Sequence, residues 1–188
     1  MSSHHVVREK QEPALLILDL ADFDEEHLGQ LLEWSPTVLV TDQSAEKLYS
    51  LEIKFDVLLT QTEATFLQES LRIIPVEEDA LKTGLQFLID EKYPAVNIIA
   101  GKRSMADFLV FADQITLVIF SNQQKIYPVG SGFSKWKAGG ETVYIEQIPT
   151  DLKQSGLEQI SQNQFKTLKD GFFMLKFSQP FLFISEDI

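Results

Sequence analysis

The acidic and basic residues that flank the apolar runs of this chain are its first candidates for chemistry. Asp42 ends the run TVLVT, Glu63 follows DVLLTQT, Asp79 stands before LKTGLQFL, and Asp107 lies in AGKRSMADF behind Lys102 and Arg103. A carboxylate can move a proton or hold a hard cation, and a lysine beside an arginine can grip a phosphate. Each position has a structural use as well. Acids ahead of a helix cap it and complement its dipole, and basic side chains after a strand are commonly solvated. His27 has no second histidine nearby and reads as a surface or capping residue, while His4 and His5 are an adjacent pair in a polar segment. No G-x-x-x-x-G-K-[ST], H-E-x-x-H or G-x-S-x-G pattern occurs, and the absence of cysteine removes disulfides, thiolate metal sites and thiol nucleophiles.

The elements that must carry these residues fall into two textures. From Ala14 to about Phe120, nearly continuous Val, Ile and Leu runs (ALLILDL, TVLVTD, DVLLT, LRIIPV, AVNIIA, ITLVIF) alternate with stretches of helical period. Such runs predict parallel strands covered on both faces. Leu81, Leu85 and Leu88 form a core-facing helical stripe, and Leu28, Leu31 and Leu32 form another after Asp24 as N-cap. Beyond Phe120 the helical period fades. QKIYPV, ETVYIEQI, FFMLKF and PFLFIS alternate with turn signals at Gly130 to Gly132, Gly139-Gly140 and Asp170-Gly171, which predicts an antiparallel β-sandwich. Trp136 and Phe133 read as core or interface residues of that sandwich.

The fold class expected is therefore an N-terminal α/β parallel sheet with flanking helices over residues 12–121, followed by a C-terminal antiparallel β-sandwich over 122–188. A 188-residue chain with 44% hydrophobic residues can bury such cores. Its formal charge of −12 repels phosphate backbones and acidic lipid surfaces, so neither nucleic acid nor membrane is expected as a partner. The polar N-terminal stretch and the lack of any long apolar run point to a cytoplasmic protein.

The stretch VTDQSAEKLYSLEIKFDVLLTQTE, from Val40 to Glu63, resembles the thiamine pyrophosphokinase segment that runs roughly ADGGANRLLELGIKPDLIIGDFD. The resemblance continues through ALKTGLQFL, NIIAGKRSMADFLVF and QQKIYPVGSG, so it spans most of the chain. It implies that family's fold, a homodimer, and a site where magnesium and ATP meet thiamine at the carboxyl edge of the sheet. It also exposes substitutions. Asp42 and Asp56 match the family, but Gln43 and Ser44 replace two glycines, and Thr60, Gln61, Thr62 and Glu63 replace the GDFD motif. Without a gap, Glu77 and Asp79 fall on the first and third positions of a DxTD motif whose last aspartate is Ala80, whereas a one-residue shift puts Asp79 on that last position. Asp107 matches an aspartate, whereas Met105, Phe108 and Ala112 replace arginine, histidine and asparagine. No Ser-Asn pair precedes the last strands.

Two functions follow from the resemblance. In the first, pyrophosphate transfer from ATP to thiamine is impaired or lost, and the chain is retained as a binding, regulatory or assembly protein that needs no cofactor. In the second, it is a divergent active enzyme using magnesium and ATP, with Asp107 and Glu63 as its catalytic residues. Glu63, Asp79 and Asp107 would then hold the metal, joined by Asp42 in a rebuilt acidic cluster. Asp42, Gln43, Ser44, Lys102 and Arg103 are the candidate cofactor-binding residues, and thiamine or a nucleotide the candidate ligand.

Overall fold

Ala14, Leu15, Leu16 and Ile17 are all fully buried, the burial expected of a strand with cover on both faces. The computed structural model describes residues 12–20, 23–62, 68 and 70–188. Its described residues form two compact units, one running to Gly101 and including Asp113–Leu117, the other made of Lys102–Ala112 and Val118–Ile188. A boundary at 121/122 follows the change of texture along the chain, whereas compactness groups 102–112 and 118–121 with the C-terminal strands.

In the first unit the elements alternate: β1 (Ala14–Ile17), α1 (Glu25–Leu32), β2 (Val38–Thr41), α2 (Asp42–Ser50), β3 (Val57–Thr60), β4 (Arg72–Pro75), α3 (Ala80–Asp90) and β5 (Ala95–Ile99). The strands lie in the order β5-β1-β2-β3-β4, all parallel. Asp24 caps α1 by accepting the His27 backbone N–H at 3.0 Å, as its position ahead of the leucine stripe predicts. Leu28 is the buried member of that stripe, and Leu81, Leu85 and Leu88 of α3 are fully buried. Gly84 lets α3 sit close to the sheet, because a Cβ there would lie 3.0 Å from side-chain carbons of both Leu16 and Leu59.

The second unit holds α4 (Met105–Leu109), most of β6 (Thr116–Ser121), and then β7 (Gln124–Val129), β8 (Ser134–Lys137), β9 (Thr142–Ile145), β10 (Lys153–Ser155), β11 (Leu157–Gln159), β12 (Gln164–Thr167), β13 (Gly171–Lys176) and β14 (Leu182–Asp187). One sheet has the order β11-β12-β9-β14-β7-β6 and the other β10-β13-β8, with antiparallel pairing. Val143, Ile145, Phe165, Phe173, Leu175 and Ile184 of the two sheets share one apolar core. The short strands β8, β10, β11 and β12 are not evident in the hydrophobic pattern. They are polar or lysine-bearing, and their pairing rather than their composition makes them strands.

β8 explains why its pattern misleads. Lys135 and Lys137 alternate with the exposed Trp136, so the lysines take the positions that face the other sheet. They are accommodated by a charged network. Lys135 Nζ lies 2.5 Å from Glu186 Oε1, and Lys137 Nζ lies 3.0 Å from Glu186 Oε2 and 2.6 Å from Glu141 Oε2. The Tyr127 hydroxyl donates to the same Glu186 carboxylate and accepts from Lys135 at 3.1 Å. Burial alone would raise the Glu186 carboxyl, but its hydrogen bonds from Lys135, Tyr127 and Lys137 outweigh that and hold it at about 2. Burial also opposes charge on Lys137, yet its bonds to Glu141 and Glu186 keep that ammonium above the ordinary lysine range. For Tyr127, burial and then the bond to Glu186 push the phenol well upward.

On the outward face of the smaller sheet, Trp136 stands opposite Phe172, and Phe172 is 71% exposed. Trp136 is thus not a core residue.

Candidate functional site

Parallel pairing places the carboxyl ends of β5, β1, β2 and β3 in one row. Ile99 pairs with Ile17, Ile17 with Val40, and Thr41 with Leu59, so two steps on from the first pair Gly101 lies level with Asp19, and Asp19 with Asp42, while Asp42 lies level with Thr60. The chain runs outward from β1 through β2, β3 and β4, and then returns to place β5 on the other side of β1. The strand order therefore reverses between β1 and β5, and open α/β sheets bind ligands outside the carboxyl ends of strands at such a point. Asp19 and Gly101 occupy it.

Asp19 is the residue that reasoning from motifs missed. It was visible only as the acid inside ALLILDL, and its place beside Asp42 depends on the strand order. Gly101 admits it: a Cβ at 101 would stand 2.7 Å from Asp19 Oδ2. The obstructing atom is the end of a side chain, so Gly101→Ala is expected to change stability by less than about 1 kcal/mol while swinging the carboxylate aside. A displaced Asp19 carboxyl carbon resonance with an unshifted unfolding midpoint would check this.

The other positions at this edge are engaged locally to different degrees. Asp42 is half-buried in the first turn of α2, with Gln43 exposed beside it. Ser44 is buried at 1% exposure, and its hydroxyl has no hydrogen-bond partner among the described residues. These positions are helical here, so a side chain at 43 or 44 meets no backbone obstacle. Thr41 precedes the helix but gives its hydroxyl to the Leu18 carbonyl at 2.9 Å, so no side chain caps α2. The first-turn N–H groups of α2 at the carboxyl edge are left for other acceptors.

After β3, the buried Thr60 closes a turn on itself. Its hydroxyl donates to the Thr62 carbonyl at 2.9 Å and accepts the Thr62 N–H at 3.0 Å. Glu63 lies outside the described residues. Asp79 caps α3, accepting the Leu81 N–H at 3.0 Å. Asp56 accepts the Val38 N–H at 2.8 Å and so fastens the start of β3 to β2.

A magnesium ion needs several oxygen ligands at once. Among the described residues no three His, Asp or Glu side chains are grouped to hold a metal ion, and Asp79 is already committed to its cap.

In the second unit, Ser104 caps α4 by accepting the Ala106 N–H at 3.3 Å, and Asp107 is half-buried in the first turn. Phe108 is fully buried. The segment before it forms one wall of an open hollow of about 310 Å³. Lys102, Arg103 and Met105 line it on that side, with Gln124 and Ile126 of β7 and with Glu146, just past β9. Glu146 is braced from β14, where the fully buried Ser185 hydroxyl donates to its Oε1 at 2.8 Å. The two basic residues singled out in sequence thus line a concave surface. Its acidic side is not legible in the sequence, because Glu146 reaches Ser185 only through the pairing of β14 with β9.

No protein-family model matches the sequence, and no curated protein does. Solved structures do resemble it in fold. The thiamin pyrophosphokinase from Candida albicans matches at a TM-score of 0.68 and 12% identity, covering 94% of this chain and 89% of that chain. The yeast thiamin pyrophosphokinase gives 0.59 at 10% identity, covering 97% and 88%. Thiamine pyrophosphokinase from Bacillus subtilis gives 0.57 at 13% identity, covering 93% and 98%. The fold is thiamine pyrophosphokinase-like across nearly the whole chain, with the parallel sheet and antiparallel strands that the sequence predicts. No helix among the described residues is long and apolar enough to cross a membrane.

Proposed function

We propose that this chain is a thiamine pyrophosphokinase-related protein whose transfer of pyrophosphate from ATP to thiamine is impaired or lost, and that it serves as a binding, regulatory or assembly protein. The observation that carries the reading is the way the fold consumes the positions such chemistry would use. Thr60 and Thr62 satisfy each other, Asp79 is spent on a helix cap, and Phe108 fills the core where the resembling family has a histidine. Transition-state charge on a transferring phosphoryl group needs donors and cations preset around it, and neither a methyl-bearing hydroxyl in a turn nor a buried phenyl ring provides them.

What remains favours binding a phosphate-bearing ligand such as a nucleotide, or thiamine. The uncapped start of α2 offers N–H donors at the carboxyl edge, and Lys102 and Arg103 stand at the wall of a hollow. A homodimer in the cytoplasm goes with this reading, supported by the exposed Trp136 and Phe172 pair as apolar surface for a second copy.

A divergent active enzyme is the alternative, with Asp42, Glu63, Asp79 and Asp107 as its acids and magnesium with ATP as its cofactors. It is favoured by Asp19 and Asp42 standing level at adjacent strand ends. Purified protein given ATP, magnesium and thiamine decides between the two. The expected result is no AMP above the rate without protein; stoichiometric AMP and thiamine diphosphate would remove the leading reading. If activity appears, its loss in Asp107→Ala supports the acidic cluster.

A further inference from the structure

Two opposite charges at the hollow in the second unit, Lys102 and Glu146, are not paired with each other. Lys102 makes no ion pair among the described residues, and the Glu146 carboxylate is bonded among them to the Ser185 hydroxyl alone. Elsewhere in this unit, lysines and glutamates of the fold close on each other directly, as Lys135 and Lys137 do on Glu186. Here Lys102 and Glu146 line one concave surface without closing on each other. Ser185 has one hydrogen to give, and its approach is closer to Glu146 than to the Gln124 amide oxygen at 3.4 Å. Glu146 is thereby fixed in place while its other oxygen keeps its acceptor capacity. Met105 and Ile126 supply apolar wall.

We infer that this hollow binds a small zwitterion, a short-chain amine that also carries a phosphate monoester. Its phosphate would meet Lys102, its ammonium would meet Glu146, and its methylenes would lie along Met105 and Ile126. The volume of about 310 Å³ is at the small end of ligand sites and suits a compact molecule rather than a polymer. A simple anion would satisfy Lys102 and leave Glu146 facing it as a like charge. A simple amine would do the reverse. Only a ligand bearing both signs completes the surface. The assignment goes beyond pyrophosphate transfer and stands whether or not that reaction occurs.

Two probes that differ only in the ammonium group test it: O-phosphoethanolamine and ethyl phosphate, titrated into the full chain and read by calorimetry and by the Gln124 side-chain amide resonances. The expected result is that O-phosphoethanolamine binds about tenfold tighter than ethyl phosphate, the discrimination that one added ion pair of about 1.4 kcal/mol confers. Glu146→Gln is expected to erase that difference while leaving ethyl phosphate binding in place. Lys102→Gln is expected to weaken both probes. Equal affinity of the two probes for the unaltered protein, or no response at Gln124 to either at millimolar concentration, overturns the proposal. Retained discrimination in a folded Glu146→Gln variant overturns it as well. The comparison on the unaltered protein decides the matter even if the variants do not fold.

Discussion

Glu186→Gln is expected to lower unfolding stability by about 3 kcal/mol at neutral pH, which for a chain of this size moves the midpoint temperature down by roughly 6–12 °C. The carboxylate receives Lys135, Lys137 and Tyr127 together, and Lys137 is only 9% exposed. An amide in its place leaves two ammonium groups near a partly buried neutral side chain, with Glu141 as the remaining acidic partner of Lys137. The same group predicts a pH dependence. Its folded value of about 2 lies below the ordinary 4.5, so its contribution is complete above about pH 4.5 and is lost as pH falls from there through 2. The unaltered protein should therefore lose stability over that window more steeply than Glu186→Gln, and the two should converge near pH 2. Thermal melts of both across pH 2–7 check this. Parallel curves with a constant offset would show that the carboxylate's charge is not the cause.

Phe108→His carries the second large effect. It installs the residue that the resembling family has at this position, but the side chain here is fully buried in α4. An imidazole in that place gives up apolar burial and brings a polar ring into the core without an assigned partner. The expected loss is about 3 kcal/mol, and no AMP formation is gained. Met105→Arg makes a useful contrast, since Met105 is half-buried and lines the hollow, where a guanidinium can reach water. That change should cost less than about 1 kcal/mol. An unfolding midpoint for Phe108→His within a degree or two of the unaltered protein, with AMP appearing, would mean that position 108 opens onto the reaction site after all.

Much of the architecture is legible in the chain because strands covered on both faces must be apolar along their whole length. ALLI, VLVT and VLLT announce themselves for that reason. So does α3, whose Leu81, Leu85 and Leu88 recur at the helical interval, and Asp24, whose capping role follows from where it stands. The strand β8 is hidden because its inward positions are Lys135 and Lys137, which read as solvated until Glu186, far along the chain, arrives to receive them. The candidate site divides in the same way. Asp42, Asp79, Asp107, Lys102 and Arg103 can be picked out from local context. Asp19 gains meaning only when β1 is known to lie between β5 and β2, and Glu146 only when β14 brings Ser185 beneath it. Local spacing reveals candidates, whereas nonlocal pairing determines which of them share a surface.

The polypeptide leaves the first unit after Gly101, rejoins it at Asp113–Leu117 and departs again at Val118. Neither unit can consequently be excised as one uninterrupted fragment. A C-terminal piece starting at residue 122 would lack Lys102, Arg103 and Met105 and hence one side of the hollow, together with all of β6. Halves split at 121/122 would each carry only part of the second unit. Such halves should recover their native state only by complementation, when both are present in the same solution.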